Sequence, residues 1–120
     1  MLTKKLRMKS NTQFDYIFKK GKVLKSNKLL IFYSQNKSKS LKFGVVVSKK
    51  IGKSVIRNTV KRKLRELIKN NLTSFNTNFN YIFVARQGIE KLKYNDLNNI
   101  LTKLTQKTEI YVKNNWNFYY

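Results

Sequence analysis

A strongly basic segment near the middle of the chain, Lys49–Glu66, constrains the fold more than any other stretch. It follows a strand-like run, passes a glycine turn at Gly52 and then reads as one helix. At about 100° per residue, its side chains separate onto two adjoining arcs. The polar arc carries Arg57, Asn58, Lys61, Arg62 and Arg65, and the apolar arc carries Ile56, Val60, Leu64, Leu67 and Ile68. We therefore expect a helix that buries one side and presents cations to a partner on the other.

The charge balance indicates a polyanionic partner. The 120 residues include 27 Lys and Arg against 5 Asp and Glu, a formal net charge of +22. Such a charge repels itself in a compact state, and a bound polyanion relieves that repulsion. Solvated helix faces usually mix signs, whereas the polar arc of this helix contains no acid. Nucleic acid is the expected partner, with an affinity that falls steeply as salt rises.

The residue inventory argues against catalysis by the protein alone. Histidine and cysteine are absent, which removes the usual general base, disulfides and the commonest zinc ligands. The acids are scattered along the chain at Asp15, Glu66, Glu90, Asp96 and Glu109. We predict no catalytic residue in the protein. No apolar run reaches ~18 residues and no signal peptide is recognisable, so the sequence predicts a cytoplasmic protein without a membrane span.

Hydrophobic periodicity predicts one α+β domain over residues 1–120 with its core at about 6–112, a single sheet packed by helices, and the order α-β-β-α-β-α. The basic N-terminal segment and the aromatic C-terminal tail lie outside that core. The expected elements are a helix capped at Ser10 or Asn11 and ended by Gly21, antiparallel strands at 28–34 and Leu41–Ser48, the central helix capped by Ser54 and ending near Asn70, a strand at Asn80–Arg86, and a helix at Asp96–Val112.

Aromatic side chains on the predicted first helix and strands allow two interpretations. A sheet covered by helices must bury one face, so about half of these rings belong to the core. The other half could stack on unpaired bases beside the cations, as single-stranded RNA is commonly held. The set is Phe14, Phe18, Phe32, Tyr33, Tyr81 and Phe83. Gly44, within a strand, predicts a bulge or a close backbone approach.

Three other function classes share parts of this pattern. A ribosomal protein or general RNA chaperone shares the charge. A DNA-binding regulator would need a helix-turn-helix pair, and the strands that flank the basic helix argue against one. A cationic membrane-surface domain would need an apolar face to insert, and the apolar arc of this helix is needed for the core.

The stretch RNTVKRKLRE resembles the signature of the bacterial ribonuclease P protein component, Arg-Asn-x-x-Lys-Arg-x-x-Arg. Upstream, Phe14, Phe18 and Gly21 lie where that family has a Phe-x-x-x-Phe helix and a glycine. Downstream, YIFVAR is similar to its last strand. The signature positions in this chain are Arg57, Asn58, Lys61, Arg62 and Arg65.

The resemblance implies a ribonucleoprotein enzyme that removes the 5′ leader of precursor tRNA. In that family a catalytic RNA carries the magnesium-dependent hydrolysis, so magnesium is expected to be bound mainly by the RNA, and no second protein is required. The implied fold is like domain 2 of ribosomal protein S5, with a left-handed β-α-β crossover. The implied surface for the catalytic RNA comprises Ser48, Lys49, Lys50, Lys53, Arg57, Asn58, Lys61, Arg62 and Arg65. The implied leader cleft comprises Phe14, Phe18, Leu30, Phe32, Phe83 and Ala85.

Overall fold

The structure is a computed structural model that describes residues 3–36, 41–106 and 108–111. Within these ranges the chain forms, in order, α1 (Asn11–Lys20), β1 (Lys22–Lys25), β2 (Leu29–Gln35), β3 (Phe43–Val46), α2 (Ser54–Asn70), β4 (Phe79–Ala85) and α3 (Tyr94–Thr105). The α+β class and the single sheet are confirmed. β1 was not predicted, because its four residues, KVLK, are too few to show a period.

The four strands form one sheet in the order β1-β2-β4-β3. β2 runs antiparallel to β1 and β4, whereas β3 and β4 are parallel. The 28–34 strand and the Leu41–Ser48 strand run in opposite directions, as predicted, but they are not neighbours, because β4 lies between them. Parallel neighbours cannot be joined by a hairpin, and α2 makes the required crossover. The left hand of this crossover stays a prediction.

The larger core lies on the side of the sheet that faces α2 and α3. Alternation along each strand sends every second residue to this side. β2 and β4 contribute Leu29, Ile31, Tyr33, Tyr81, Phe83 and Ala85. The Tyr81 hydroxyl donates to the carbonyl oxygen of Asn76 at 2.6 Å. Burial raises the pKa of Tyr81, so the phenol remains a neutral donor.

A smaller core lies on the opposite side, beneath α1. Met8, Ile17 and Ile82 are buried there. The half-buried Phe14 and Phe32 pack against them, together with two valines of the sheet. α1 is only 10 residues long, and among the described residues on this side Phe18 remains exposed and Phe32 half-buried.

Some of the predicted helix ends are confirmed and others are wrong. The Ser10 side chain accepts from the backbone N–H of Gln13 and caps α1, as predicted, and Gly21 follows the helix. Ser54 is not the cap of α2 but its first residue, and Lys53 occupies the cap position without a side-chain hydrogen bond. The last helix starts at Tyr94 and ends at Thr105, so its predicted bounds are wrong. Val112 and the aromatic tail lie outside the described residues.

Candidate nucleic-acid interface

α2 has the two sides that its sequence predicts. Val60, Leu64, Leu67 and Ile68 are buried in the larger core. The other arc, Arg57, Asn58, Lys61, Arg62 and Arg65, is half-buried or exposed along its whole length, and we call it the cationic face. From Arg57 to Arg65 it extends roughly 12 Å, at 1.5 Å per residue. That length matches several consecutive phosphates of an RNA backbone.

Ile56 departs from the predicted burial. Its side chain is 39% exposed, and the neighbouring Val55 is 74% exposed. Both lie in the first turn of α2, beyond the edge of the core. The apolar arc therefore begins at Val60, one turn later than the spacing predicts.

The turn before α2 positions further cations beside the cationic face. Ser48, Lys49, Lys50 and Lys53 are all exposed, while Ile51 between them is buried and anchors the turn. The adjacent Gly52 has a backbone φ of +153°, a value that residues with a side chain rarely adopt.

Gly52 also fixes the first arginine of the cationic face. Arg57 donates from Nε to the Gly52 carbonyl oxygen at 3.2 Å. This bond uses one of the five N–H donors of a guanidinium, so the side chain is oriented while most of its donors can serve a phosphate.

Lys63 shows that not every cation of α2 shares this surface. Its Nζ donates to the carbonyl oxygen of Leu92 at 3.3 Å, in the segment between β4 and α3. Lys63 therefore binds the body of the protein on another side of the helix, and it provides a natural control for charge removal.

A second surface lies between α1 and the sheet. The Phe14 and Phe18 rings stack with centroids 6.4 Å apart, and Phe18 meets Phe32 edge-on at 4.9 Å. Phe18 is 40% exposed despite these contacts. Leu30 lies two residues before Phe32 in β2, on the same side of the sheet. We call Phe14, Phe18, Leu30, Phe32 and Val84 the aromatic surface.

Two residues assigned to the leader cleft do not lie on this surface. Phe83 and Ala85 are 0% and 7% exposed and belong to the core beneath α2 and α3, so their placement in the cleft is wrong. β4 pairs Phe32 with Ile82 and Leu30 with Val84, which puts Ile82 and Val84 on the α1 side. Both alternating sets of β4 are apolar, so only the pairing register distinguishes them.

Gly44 brings β3 against the aromatic surface. A Cβ built on Gly44 would lie 2.5 Å from Cε1 of Phe14. The close backbone approach predicted at this glycine is therefore confirmed, and its partner is the ring of Phe14.

The two surfaces meet at a cavity of about 240 Å³ lined by Arg7, Lys9, Phe14, Val45 and Arg65, among others. The backbone near Arg7 pairs with the outer edge of β3, and the Met8 N–H donates to the Phe43 carbonyl oxygen at 2.8 Å. Burial, and secondarily the charge of Arg7, lowers the pKa of Arg65. Sequence reasoning missed Arg7 and Lys9, because an isolated basic segment gives no sign of what it pairs with.

Within the described ranges, no group of three or more acidic side chains could hold a metal ion. No helix in that part of the chain has the length and apolar character needed to cross a bilayer.

A family model described as Ribonuclease P matches residues 2–109 of this chain. The chain belongs to the ribonuclease P protein family. It is 35% identical over 96 residues to the Ribonuclease P protein component of Streptococcus agalactiae serotype III, which covers 80% of this chain and 87% of that protein. It is 36% identical over 107 residues to the Ribonuclease P protein component of Fusobacterium nucleatum, and that alignment covers 86% of this chain and 96% of the relative.

The fold agrees with that membership. The structure of the Staphylococcus aureus RNase P protein superposes with a TM-score of 0.80 at 28% identity, covering 89% of this chain and 98% of that one. As a ribonuclease P protein component, the chain takes part in tRNA processing, and its partner is an RNA.

Proposed function

We propose that this protein binds the catalytic RNA of ribonuclease P through α2 and the 5′ leader of precursor tRNA through the aromatic surface, assisting endonucleolytic removal of the leader. The observation that carries the proposal is that two chemically different surfaces share a border at the Arg7, Lys9 and Arg65 cavity. One surface offers cations to phosphates, and the other offers ring faces to unpaired bases.

The catalytic RNA is assigned to the cationic face for electrostatic reasons. Its charged side chains are all positive, and Ser48, Lys49, Lys50 and Lys53 continue it beyond the helix. Phosphate contacts position a partner without reading its sequence. In this proposal the RNA binds the magnesium and performs the hydrolysis, no second protein is required, and the complex acts in the cytoplasm.

The leader is assigned to the aromatic surface because its bases are unpaired. Ring stacking is worth ~1–3 kcal/mol per base and tolerates every base, which suits an enzyme that must accept many leaders. Phe14, Phe18, Leu30 and Phe32 remain the proposed contacts, now joined by Val84 in place of Phe83 and Ala85.

Reconstitution tests the whole proposal. The purified protein is mixed with a bacterial ribonuclease P RNA and a precursor tRNA at low magnesium, and leader release is followed on a gel. We expect cleavage that neither partner gives alone, since added cations offset repulsion between the two RNAs. Unchanged cleavage by the RNA in the presence of protein would refute the proposal.

Single substitutions separate the two surfaces. Arg57→Ala or Arg65→Ala should weaken assembly with the catalytic RNA by ~1–3 kcal/mol and lower the slope of log affinity against log salt by about 1. The matched control is Lys63→Ala, which removes the same charge from another side of α2 and should leave the slope unchanged. Phe14→Ala should weaken leader binding while assembly survives. Identical behaviour of the arginine and phenylalanine variants would eliminate the two-surface arrangement.

A further inference from the structure

α1 separates the aromatic surface from a second groove on its other flank. Residues two apart on a helix point in nearly opposite directions, so Tyr16 projects away from both Phe14 and Phe18. Ile17 lies beneath the helix and is buried. β2 and β4 run below α1, with Leu30 and Val84 at one end of the paired region and Ser34 and Asn80 towards the other. The second groove lies at the Ser34 end.

Two adjoining cavities form this groove. One, of about 370 Å³, is lined by Gln13, Tyr16, Ser34 and their neighbours, and the other, of about 490 Å³, reaches Lys20 and Lys22. They share Tyr16, Ser34 and Gln35. Each volume lies in the range of small-molecule sites, ~300–1,000 Å³. We call the two together the Tyr16 groove.

Tyr16 provides a free ring face in this groove. Its side chain is 53% exposed, more than the Phe18 side chain of the aromatic surface. Among the ring pairs of the described residues, Tyr16 takes part in none. A large ring that neither core uses, standing beside a cavity, can accept a flat ligand by stacking.

Amide side chains line the same cavities as the ring. Gln13, Gln35, Asn36 and Asn80 all line the cavities, and each amide carries both donors and an acceptor. Asn80 is held in place, because its Oδ1 accepts from the Lys42 backbone N–H at 2.8 Å and from Asn36 Nδ2 at 3.3 Å. Asn36 Oδ1 is buried, and no group in the described part of the chain donates to it. A buried oxygen of this kind does not reach a ligand, whereas the amides of Gln13 and Gln35, which are half-buried and exposed, can recognise the hydrogen-bonding edges of bases.

The charge at one end of the groove favours an anionic ligand. Lys20 and Lys22 line the larger cavity, where Glu109 supplies the carboxylate. That carboxylate lies 3.5 Å from Nζ of Lys22, which offsets its charge. The groove therefore combines a stacking ring, base-reading amides and a cationic end. We propose that the Tyr16 groove binds an unpaired nucleotide of single-stranded RNA, with its base on Tyr16 and its phosphate towards Lys20.

This site goes beyond the proposed function, because it requires neither the catalytic RNA nor a tRNA. It can therefore be tested on the full-length protein with a short single-stranded RNA as the probe. We choose a ten-nucleotide oligoadenylate with one 2-aminopurine, whose fluorescence falls when the base stacks. Tyr16→Ala should lower its affinity roughly tenfold, and Tyr16→Phe, which retains the ring, should bind within about twofold of the parent.

A second experiment changes the charge of the groove and leaves the Tyr16 ring in place. Gln13→Glu places a carboxylate in the groove, and Asn11→Asp makes the same charge change two residues earlier, at a position that lines neither cavity. We expect the first variant to bind several-fold more weakly than the second. Far-UV circular dichroism of both ensures that the comparison is made between folded proteins.

A double-mutant cycle distinguishes this site from the aromatic surface. If the two are separate, Tyr16→Ala should reduce affinity in the Phe14→Ala background by at least the factor seen in the parent, whereas a single shared site would leave a smaller further loss. The proposal is overturned if Tyr16→Ala binds like the parent, if Tyr16→Phe loses as much as Tyr16→Ala, or if Gln13→Glu and Asn11→Asp bind alike. Because leader cleavage is not measured, failure here leaves the reconstitution test unaffected, and the reverse also holds.

Discussion

The two faces of the sheet carry the same kinds of side chain and yet differ in what they can do. On the face beneath α2 and α3, the rings of Phe43, Phe75, Tyr81 and Phe83 pack at centroid distances of 5.0 to 5.9 Å, and all four are buried. On the face beneath α1, Phe18 meets Phe32 at 4.9 Å, equally close, but Phe18 remains 40% exposed. Ring-to-ring packing alone therefore does not distinguish a core from a binding surface.

Coverage by helices distinguishes them. We call the face beneath α2 and α3 the closed face and the face beneath α1 the open face. α2 and α3 are 17 and 12 residues long, whereas α1 has 10 residues. Burial of a ring in the core contributes hydrophobic free energy to the stability of the fold. A ring that stays partly in water can contribute the remaining part when a ligand covers it. The open face is thus a sheet surface whose burial is incomplete in the free protein.

The largest expected effect is on the closed face. Phe83→Ala should lower the free energy of unfolding by ~3–5 kcal/mol, because it leaves a cavity in a close-packed core. Urea denaturation measures this loss. A loss below ~1 kcal/mol would show that the closed face is not packed as described, and the contrast between the faces would disappear.

An intermediate effect, of a different kind, is expected on the open face. Phe32→Ala should weaken binding of a precursor tRNA by ~1–3 kcal/mol relative to mature tRNA, since one stacking ring is lost. Its cost in unfolding free energy should be smaller than that of Phe83→Ala, because Phe32 is only half-buried. Binding to mature tRNA, which has no leader, is the control. Equal weakening for both RNAs would mean that the ring does not contact the leader.

Periodicity and composition sufficed for much of the fold and for the cationic face. The spacing of Val60, Leu64, Leu67 and Ile68 determines which side of α2 is buried, so the cations opposite them could be predicted without coordinates. The pairing of β3 could not. Its neighbour β4 follows in sequence only after α2, and short-range patterns carry no information on such a non-local pair.

The aromatic surface was predictable only in part for a related reason. Phe14 and Phe18 are four apart on a helix, so their shared side follows from local geometry. Phe83 and Ile82 are adjacent in β4, and both are apolar. A shift of the strand register by one residue would exchange the faces of the sheet on which they lie. The choice between them depends on the register with Phe32, which is a tertiary property. Arg7 likewise reaches Arg65 only because its backbone pairs with β3.

The smallest expected effect tests how α1 keeps the open face in shape. Gly44→Ala should change the unfolding free energy little, because the ~0.5–1 kcal/mol gained by removing a strand glycine is offset by displacement of the Phe14 ring. Leader affinity should still fall, by roughly three- to tenfold, since Phe14 leaves its stacking position. In the Phe14→Ala background the added methyl group meets no ring. There Gly44→Ala should stabilise the protein and leave leader affinity unchanged. If the affinity loss persisted in that background, Gly44 would act on the leader by some route other than Phe14, and the open face would not depend on this contact.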